Sequence, residues 1–194
     1  MDITYLSLIL IAYLSGSISS AILVCRLLTL PDPTITGSNN PGATNVLRIG
    51  GRTAGFATLM GDIGKTILPI FIGQWLGFDT WHLLWLGAAA LIGHCFPVFY
   101  QLKGGKGVAC FMSMIIVTLP IFGMLVFGVW LITAWTFKRS SLASIVSAII
   151  LPIYIHLFSP ELLLPVSSIS AVVLIRHRRN LARLIKGEEP VIGQ

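Results

Sequence analysis

The sequence predicts an all-α integral membrane protein with seven transmembrane helices, its N-terminus outside and its C-terminus in the cytoplasm. Three observations lead to this fold class: an apolar composition, long apolar runs without strand-like alternation, and basic residues that collect in alternate loops. Of 194 residues, 55% are hydrophobic and 10% are charged. A soluble domain usually carries about 25% charged residues, so lipid is the expected solvent for much of this chain.

The apolar runs approach or exceed the length of about 20 helical residues that crosses the hydrocarbon, although the fourth and seventh are short. No linker or repeat separates them, so residues 1–194 are expected to form a single polytopic membrane domain. The predicted spans are Tyr5–Leu28, Thr53–Leu76, Trp81–Tyr100, Val108–Leu119, Ile121–Phe137, Leu142–Leu157 and Leu162–Ile175.

Residues 108–137 fit either one long tilted span or a hairpin that turns at Pro120. The basic residues favour the hairpin, because every basic cluster then lies on the side of the C-terminal tail. The opposite loops carry no Lys or Arg, as the positive-inside rule requires. A single span would instead place Lys138 and Arg139 opposite the loop that contains Lys103.

The first polar segment, residues 36–48, lies between the first two spans and is rich in turn formers and small hydrogen-bond donors. Successive amides in turn conformations can form an anion-binding nest, and the planar guanidinium of Arg48 can grip a phosphate. An ordinary inter-helix loop would also favour Gly, Asn and Pro. The length of the segment favours phosphate binding, and its candidate residues are Gly37, Ser38, Asn40, Thr44, Asn45 and Arg48.

The second polar segment, residues 93–107, ends in three glycines alternating with two lysines, just before the span that begins at Val108. Glycine allows close approach of the backbone to an oxyanion, and a helix start favours a phosphate. The segment lacks the GxxxxGK[ST] frame of a P-loop. A flexible basic loop is the alternative, and His94 is interpreted as an interior histidine. The candidate ligands are Lys103, Gly104, Gly105, Lys106 and Gly107.

The third polar segment, residues 176–189, is strongly basic and follows the last span. On one continuous helix, His177 and Asn180 would share a face, and Asn180 and Arg183 an adjoining one. A basic patch that touches anionic lipid would explain the arginines, but it needs neither His177 nor Asn180.

Four smaller features of the sequence also bear on function. Asp62 and Lys65, three residues apart within the second span, are interpreted as a structural ion pair because charges at membrane depth need partners. Ser141 follows a basic pair and can cap a helix or donate to a phosphate. The net charge of +6 fits anionic lipid or an anionic substrate, while no motif supports a nucleic-acid partner. Cysteine and acidic residues lack metal-site spacing, so neither a metal nor a cofactor is predicted.

Taken together, these motifs resemble the bacterial acyl-phosphate:glycerol-3-phosphate acyltransferase family, the PlsY type, along nearly the whole chain. The matching signatures are GSNNPGATNVLR at residues 37–48, GH at 93–94 with KGGKGVA at 103–109, and HRRN at 177–180 with RL at 183–184 and GEE at 187–189. The departures are mild and apolar or uncharged: Leu102 replaces a usual Phe, Leu181 a usual Ile, and Thr66 a frequent Gly.

The resemblance implies transfer of a fatty acyl group from acyl phosphate to the 1-hydroxyl of sn-glycerol 3-phosphate. The products would be lysophosphatidic acid and inorganic phosphate, in the first acylation step of bacterial phospholipid synthesis. It also implies a place in the bacterial cytoplasmic (inner) membrane with a cytoplasmic active site. The expected partners are acyl phosphate, glycerol 3-phosphate and membrane lipid. We expect a monomer, which leaves room for loose association with other phospholipid-synthesis enzymes.

Residue roles follow from the same resemblance. The predicted catalytic residues are His177, Asn180, Ser38 and Arg48. The predicted substrate-binding residues are Gly37, Asn40, Thr44, Asn45, Lys103, Gly104, Gly105, Lys106, Gly107 and Ser141. The predicted structural residues are Glu189, Asp62 and Lys65. Histidine titrates near neutral pH, so His177 is a candidate general base, and a donor phosphate oxygen is the alternative proton acceptor.

Two other functions remain open at the level of sequence. A small transporter for an anionic metabolite would also use basic loops, but such folds often contain inverted repeats and a midplane site. This chain has no evident repeat, and its polar residues gather on one side. An acyltransferase that uses acyl-CoA is the other alternative, which a donor assay would distinguish.

Overall fold

A computed structural model describes residues 3–192, and the regular secondary structure in this range is helical. Nine α-helices lie within these residues, together with short 3-10 helices at Val98–Tyr100 and Pro160–Leu162. The all-α prediction is therefore confirmed. The helices are α1 (Ile3–Gly16), α2 (Ser20–Leu27), α3 (Ala43–Trp75), α4 (Thr80–Cys95), α5 (Val108–Thr118), α6 (Pro120–Phe137), α7 (Ser140–Phe158), α8 (Leu163–Arg176) and α9 (Arg178–Lys186).

Four helical segments among residues 3–192 are long and apolar enough to cross a bilayer: α3, Thr80–Tyr100, α6 and α7. Two bent pairs raise the number to six if each pair is one span: α1 with α2, bent by 43°, and Pro160–Arg176 with α9, bent by 57°. This range of four to six supports a multi-pass protein. The count of seven spans and the orientation of the termini stay predictions.

The chain breaks between α5 and α6 at the position that the sequence indicated. Leu119 has a non-helical φ of −137°, and Pro120 is the first residue of α6. Proline suits this position because it lacks an N–H and has a fixed φ near −65°. With 11 residues, α5 rises only about 16 Å, short of a hydrocarbon core about 30 Å thick. Its status as a separate span therefore stays a prediction.

The largest correction concerns residues 43–50, which were expected to be a loop and are helical. They form the first part of α3, and Gly51 interrupts that helix with φ 77° and ψ −170°. This left-handed region is accessible to glycine at little cost, so the chain changes direction there before the long apolar part begins. Thr44, Asn45 and Arg48 are consequently helical residues.

The first predicted span, Tyr5–Leu28, is also interrupted. The α1 helix ends at Gly16, and the side chain of Ser19 caps α2 by accepting a hydrogen bond from the N–H of Ile22 at 3.4 Å. The break leaves backbone carbonyls without a helical partner. One of them, the carbonyl of Ile18, accepts a hydrogen bond from the side chain of Lys65 at 2.8 Å.

Residue contacts divide the chain into two compact units, with the division between Met114 and Ile115. In the first unit, α4 packs against α1 and α3, and α2 packs against α3. Small buried residues line the α1–α4 contact, which allows close helix approach: Ala12, Ala89 and Ala90. In the second unit, α7 packs against α6, α8 and α9. A single domain over residues 1–194 stays a prediction.

Candidate functional site

The first polar segment is held in shape by the side chain of Asn45. Its Oδ1 accepts a hydrogen bond from the N–H of Ser38 at 2.8 Å, and its Nδ2 donates to the carbonyls of Pro33 at 3.0 Å and Thr36 at 2.9 Å. Asn45 is 1% exposed, so both ends of its amide are used inside the loop. Because the N–H of Ser38 already donates to Asn45, an anion-binding nest in this segment would have to be formed by other amides.

The remaining candidates of this segment differ in exposure. Ser38, Thr44 and Arg48 are exposed, and Asn40 is half-buried. Gly37 is exposed in the loop and has a φ of 66°. Substrate binding by these residues and by Asn45 stays a prediction, but the structure adds that Asn45 determines the path of the loop.

The second polar segment packs its glycines against the end of α4. The N–H of Gly105 donates to the carbonyl of His94 at 3.1 Å, which satisfies an acceptor at the helix C-terminus. A Cβ atom at Gly104 would collide with the same carbonyl, and one at Gly105 would collide with Nε2 of His94. These two glycines are therefore required by close packing within the protein, whether or not an anion also approaches them.

The segment ends where the sequence indicated, since α5 begins at Val108. Lys103 is exposed and its Nζ donates to Oε1 of Gln101 at 3.3 Å, whereas Lys106 is half-buried and Gly107 is buried. Pro41 brings the first polar segment next to the second: its carbonyl oxygen lies 3.0 Å from the position of a Cβ atom on Gly105. The two glycine-containing segments thus meet within the first unit.

A buried ionic cluster lies directly behind this meeting point. Oδ1 of Asp62 is 3.0 Å from Nζ of Lys65 and 3.4 Å from Nδ1 of His94, and these side chains are 3%, 8% and 7% exposed. Lys65 also donates to the carbonyl of Ile18 at 2.8 Å, at the break between α1 and α2. We call Asp62, Lys65 and His94 the buried triad. The Asp62–Lys65 pair was predicted, whereas the contribution of His94 from another helix was not.

The second unit contains a polar cluster around Glu189. Its Oε1 accepts hydrogen bonds from Oγ of Ser141 and from Nδ2 of Asn180, both at 2.6 Å, and its Oε2 accepts from Nε of Arg183 at 2.7 Å. Its backbone carbonyl accepts from Nε of Arg139 at 3.1 Å. We call this set the Glu189 clip, because it fastens the chain after α9 to the start of α7.

The surroundings of Glu189 in the clip favour the ionised form of its side chain over the protonated form. Burial by itself raises the pKa of Glu189, but hydrogen bonds from Ser141, Asn180 and Arg183, with the charge of Arg183, outweigh it and hold the pKa below its ordinary value. The hydroxyl proton of Ser141 is used in this cluster, so direct donation from Ser141 to a substrate stays a prediction. The structural role predicted for Glu189 also stays a prediction, with four hydrogen bonds now consistent with it.

His177 and Asn180 occupy special positions near the clip. His177 ends α8 and precedes α9, so the single helix assumed for residues 176–186 is wrong, and its shared-face argument applies only from Arg178 onward. His177 is 2% exposed, and its Nδ1 lies 2.8 Å from the carbonyl of Val173. Oδ1 of Asn180 is buried and has no hydrogen-bond partner among residues 3–192.

The described part of the chain contains no group of three or more His, Cys, Asp or Glu side chains arranged to hold a metal ion.

These observations define the class: a helical, multi-pass membrane protein with basic, glycine-containing segments in one unit and a buried histidine–asparagine pair in the other. A model of the glycerol-3-phosphate acyltransferase family matches residues 6–187. A glycerol-3-phosphate acyltransferase of Vibrio campbellii is 47% identical over 195 aligned positions, covering 100% of this chain and 96% of the relative. The chain therefore belongs to the glycerol-3-phosphate acyltransferase family.

Two solved structures are similar over 98% of this chain and 96% of their own. One is PlsY, an integral membrane glycerol 3-phosphate acyltransferase, in its glycerol 3-phosphate form, with 34% identity and a TM-score of 0.90. The other is the lysophosphatidic acid form of PlsY, with 35% identity and a TM-score of 0.86. The resemblance to the PlsY type and the integral membrane character are thus confirmed.

Proposed function

We propose that this chain transfers a fatty acyl group from acyl phosphate to the 1-hydroxyl of sn-glycerol 3-phosphate, giving lysophosphatidic acid and inorganic phosphate. The observation that carries the proposal is the similarity, over nearly the whole chain, to PlsY in its glycerol 3-phosphate form. The lysophosphatidic acid form of the same neighbour supports the proposed product.

The proposed step forms an ester bond between the acyl carbon and the glycerol oxygen and breaks the bond from that carbon to the phosphate oxygen. The hydroxyl proton leaves the glycerol oxygen, and the phosphate departs with the electron pair. The donor is a mixed anhydride and already activated, so no covalent acyl-enzyme is required. Positioning and stabilisation of the departing charge would then supply most of the rate enhancement.

In this proposal, residues 104–107 and the ammonium of Lys106 bind one substrate phosphate. The other phosphate is bound by the first polar segment, where Arg48 supplies a guanidinium. The half-buried position of Lys106 supports such a role, because a charge attracts an anion more strongly where water is partly excluded than at an exposed surface. Lys103, which is exposed, would contribute mainly through its long-range field.

His177 is the proposed general base, and its tautomer supports this role. A carbonyl oxygen only accepts hydrogen bonds, so the contact with Val173 requires that Nδ1 carries the proton. In the neutral ring, Nε2 is then the nitrogen that can accept a proton. Asn180 is proposed to orient the acceptor through its buried Oδ1. If a donor phosphate oxygen takes the proton instead, His177 orients the acceptor.

The proposed setting is the cytoplasmic (inner) membrane of a bacterium, with seven spans, the N-terminus outside and the phosphate-handling segments on the cytoplasmic side. The positive-inside pattern of the loops supports this orientation. A monomer is proposed to be sufficient for activity.

The test is phosphate release by the purified full-length protein, given glycerol 3-phosphate and palmitoyl phosphate, with palmitoyl-CoA replacing the donor in a parallel assay. Release that requires both substrates, with lysophosphatidic acid formed and palmitoyl-CoA inactive, supports the proposal. Transfer from palmitoyl-CoA but not from palmitoyl phosphate would show that acyl phosphate is not the donor. No transfer from either donor would overturn the proposed function and favour an anion transporter.

Variants at the proposed base sharpen this test. His177→Ala should lower kcat by about 10²–10⁴-fold, the usual contribution of a general base, while KM changes little. Lys186→Ala, which removes an exposed basic residue of α9, is the matched control and should retain activity. A His177→Ala defect confined to KM would remove this residue as the base.

A further inference from the structure

The buried triad contains one more member than charge balance requires. Asp62 and Lys65 already form an opposite-charge pair at 3.0 Å on one helix. His94 adds a third polar group from α4, at 3.4 Å from the same carboxylate oxygen. Removing an imidazole from water has a free-energy cost, so an ion pair between Asp62 and Lys65 alone does not explain its presence.

His94 contacts the second polar segment through both its backbone and its ring. Its carbonyl accepts from the N–H of Gly105, and its Nε2 lies so close to the backbone of Gly105 that a Cβ atom there would collide with it. The opposite nitrogen, Nδ1, faces Asp62. A continuous line of contacts therefore runs from a carboxylate inside α3, through the imidazole, to the backbone directly before Lys106.

The backbone of Gly105 also has a close neighbour on a second side. The carbonyl of Pro41 lies 3.0 Å from the Cβ position of Gly105, so the ring of His94 and the first polar segment together restrict this backbone. A shift of the imidazole would allow Gly105 to move. The neighbouring amides and the side chain of Lys106 would move with it.

We propose that His94, oriented by Asp62, is a positioning residue that holds Gly104–Gly107 and Lys106 in the conformation that binds a substrate phosphate. This inference rests on the proposed function, in which these residues bind the phosphate of either glycerol 3-phosphate or the acyl donor. His94 itself touches the backbone and not the phosphate. Its effect is therefore expected mainly on substrate affinity.

The first test measures KM for each substrate separately, together with kcat, in wild type, His94→Ala and His94→Gln. His94→Ala should raise KM about tenfold for one substrate only, the one whose phosphate the segment binds, a loss typical of a displaced ligand group. The substrate whose KM rises is then the one whose phosphate is bound by residues 104–107. His94→Gln keeps a hydrogen-bond donor and should recover part of the affinity. Asp62→Asn should raise KM for the same substrate.

His82 offers a matched control on the same helix. Its Nδ1 lies 2.6 Å from Oδ1 of Asp79, so it also pairs with a carboxylate, but at the start of α4. His82→Ala should leave both KM values unchanged. If His94→Ala and His82→Ala have equal effects, or if His94→Ala lowers both affinities equally along with thermal stability, the positioning role is overturned in favour of a purely structural one.

A double-mutant cycle gives a second, independent test. Gly105→Ala places a methyl group against Nε2 of His94, and removal of the imidazole provides room for it. The KM of Gly105→Ala/His94→Ala should therefore be lower than the product of the two single effects predicts. Independent effects would contradict the proposal, and this comparison remains valid if Asp62→Asn fails to fold. An inactive wild-type protein would instead refute the proposed function.

Discussion

The buried triad and the Glu189 clip are each organised around one buried carboxylate, and they satisfy it in different ways. Asp62, inside α3, faces an ammonium and an imidazole within 3.4 Å. Glu189, beyond the end of α9, accepts bonds from a hydroxyl, an amide and a guanidinium. Deep in an apolar span, a carboxylate needs counter-charges, whereas near a helix end neutral donors and one partly exposed cation are sufficient.

This difference predicts how each cluster fails. The partners of Asp62 are nearly inaccessible to water, so its loss leaves charge buried without compensation. The Arg183 side chain is 39% exposed and can turn to water if Glu189 is lost. Damage to the first cluster should therefore reduce the stability of the whole unit, and damage to the second should mainly release the chain end.

The largest expected effect is that of Asp62→Ala. Breaking a buried ion pair by removing one partner costs about 3–5 kcal/mol, because the remaining charge stays desolvated. The measurement is thermal or denaturant unfolding of the detergent-solubilised protein. Thr58→Val is the control, since the Thr58 hydroxyl is buried one turn away and, within residues 3–192, donates to the carbonyl of Ala54 in its own helix. A cost for Asp62→Ala no larger than that of Thr58→Val would contradict the comparison.

Glu189→Ala should have a smaller and more local effect. A hydrogen bond to a charged group contributes about 1.5–3 kcal/mol to the free energy of unfolding. The contribution of the bond from Arg183 is smaller, because this side chain is partly exposed to water. Hydrogen exchange should increase at residues 187–192, where the N–H of Ile192 otherwise donates to the carbonyl of Lys138 at 2.7 Å. Exchange in α3 and α4 should stay unchanged. Equal acceleration in both units would show that the clip supports more than the chain end.

A pH titration separates the two clusters further. The pKa of Glu189 is lower in the folded protein than in the unfolded chain, so the clip contributes its full stability above the ordinary pKa of about 4.3. That contribution is lost as the pH falls through the lower, folded-state pKa. Exchange at residues 187–192, corrected for its intrinsic pH dependence, should rise over that interval. Glu189→Gln should show no such rise, and an identical rise in this variant would assign it to another group.

The smallest expected effect comes from an exposed carboxylate. Asp79 caps α4 by accepting a hydrogen bond from the N–H of His82 at 3.0 Å. Asp79→Ala should cost about 1 kcal/mol, as is usual for an N-cap residue. Unfolding measured alongside Asp62→Ala gives the comparison directly. If Asp79→Ala lowered the free energy of unfolding more than Asp62→Ala, burial would not determine how much each carboxylate contributes to stability.

The class of the protein and some of its helix boundaries follow directly from the amino-acid sequence. Its composition and the need to satisfy every backbone group in lipid require helices, and Pro120 marks a helix start through its fixed φ and missing N–H. The signatures at residues 37–48, 93–109 and 177–189 also identified the family, which the family match and the similarity to PlsY confirm. These properties depend on residues close together in the chain.

Which polar groups meet depends instead on how the helices pack in three dimensions. Asn45 bonds a carbonyl 12 residues away, and Ser141 bonds a carboxylate 48 residues away. The association of His94 with Asp62, and of Gly105 with Pro41, depends on how separate helices pack. Composition and spacing do not encode such distant contacts, because the same polar residue can be satisfied by many partners until the packing of helices selects one.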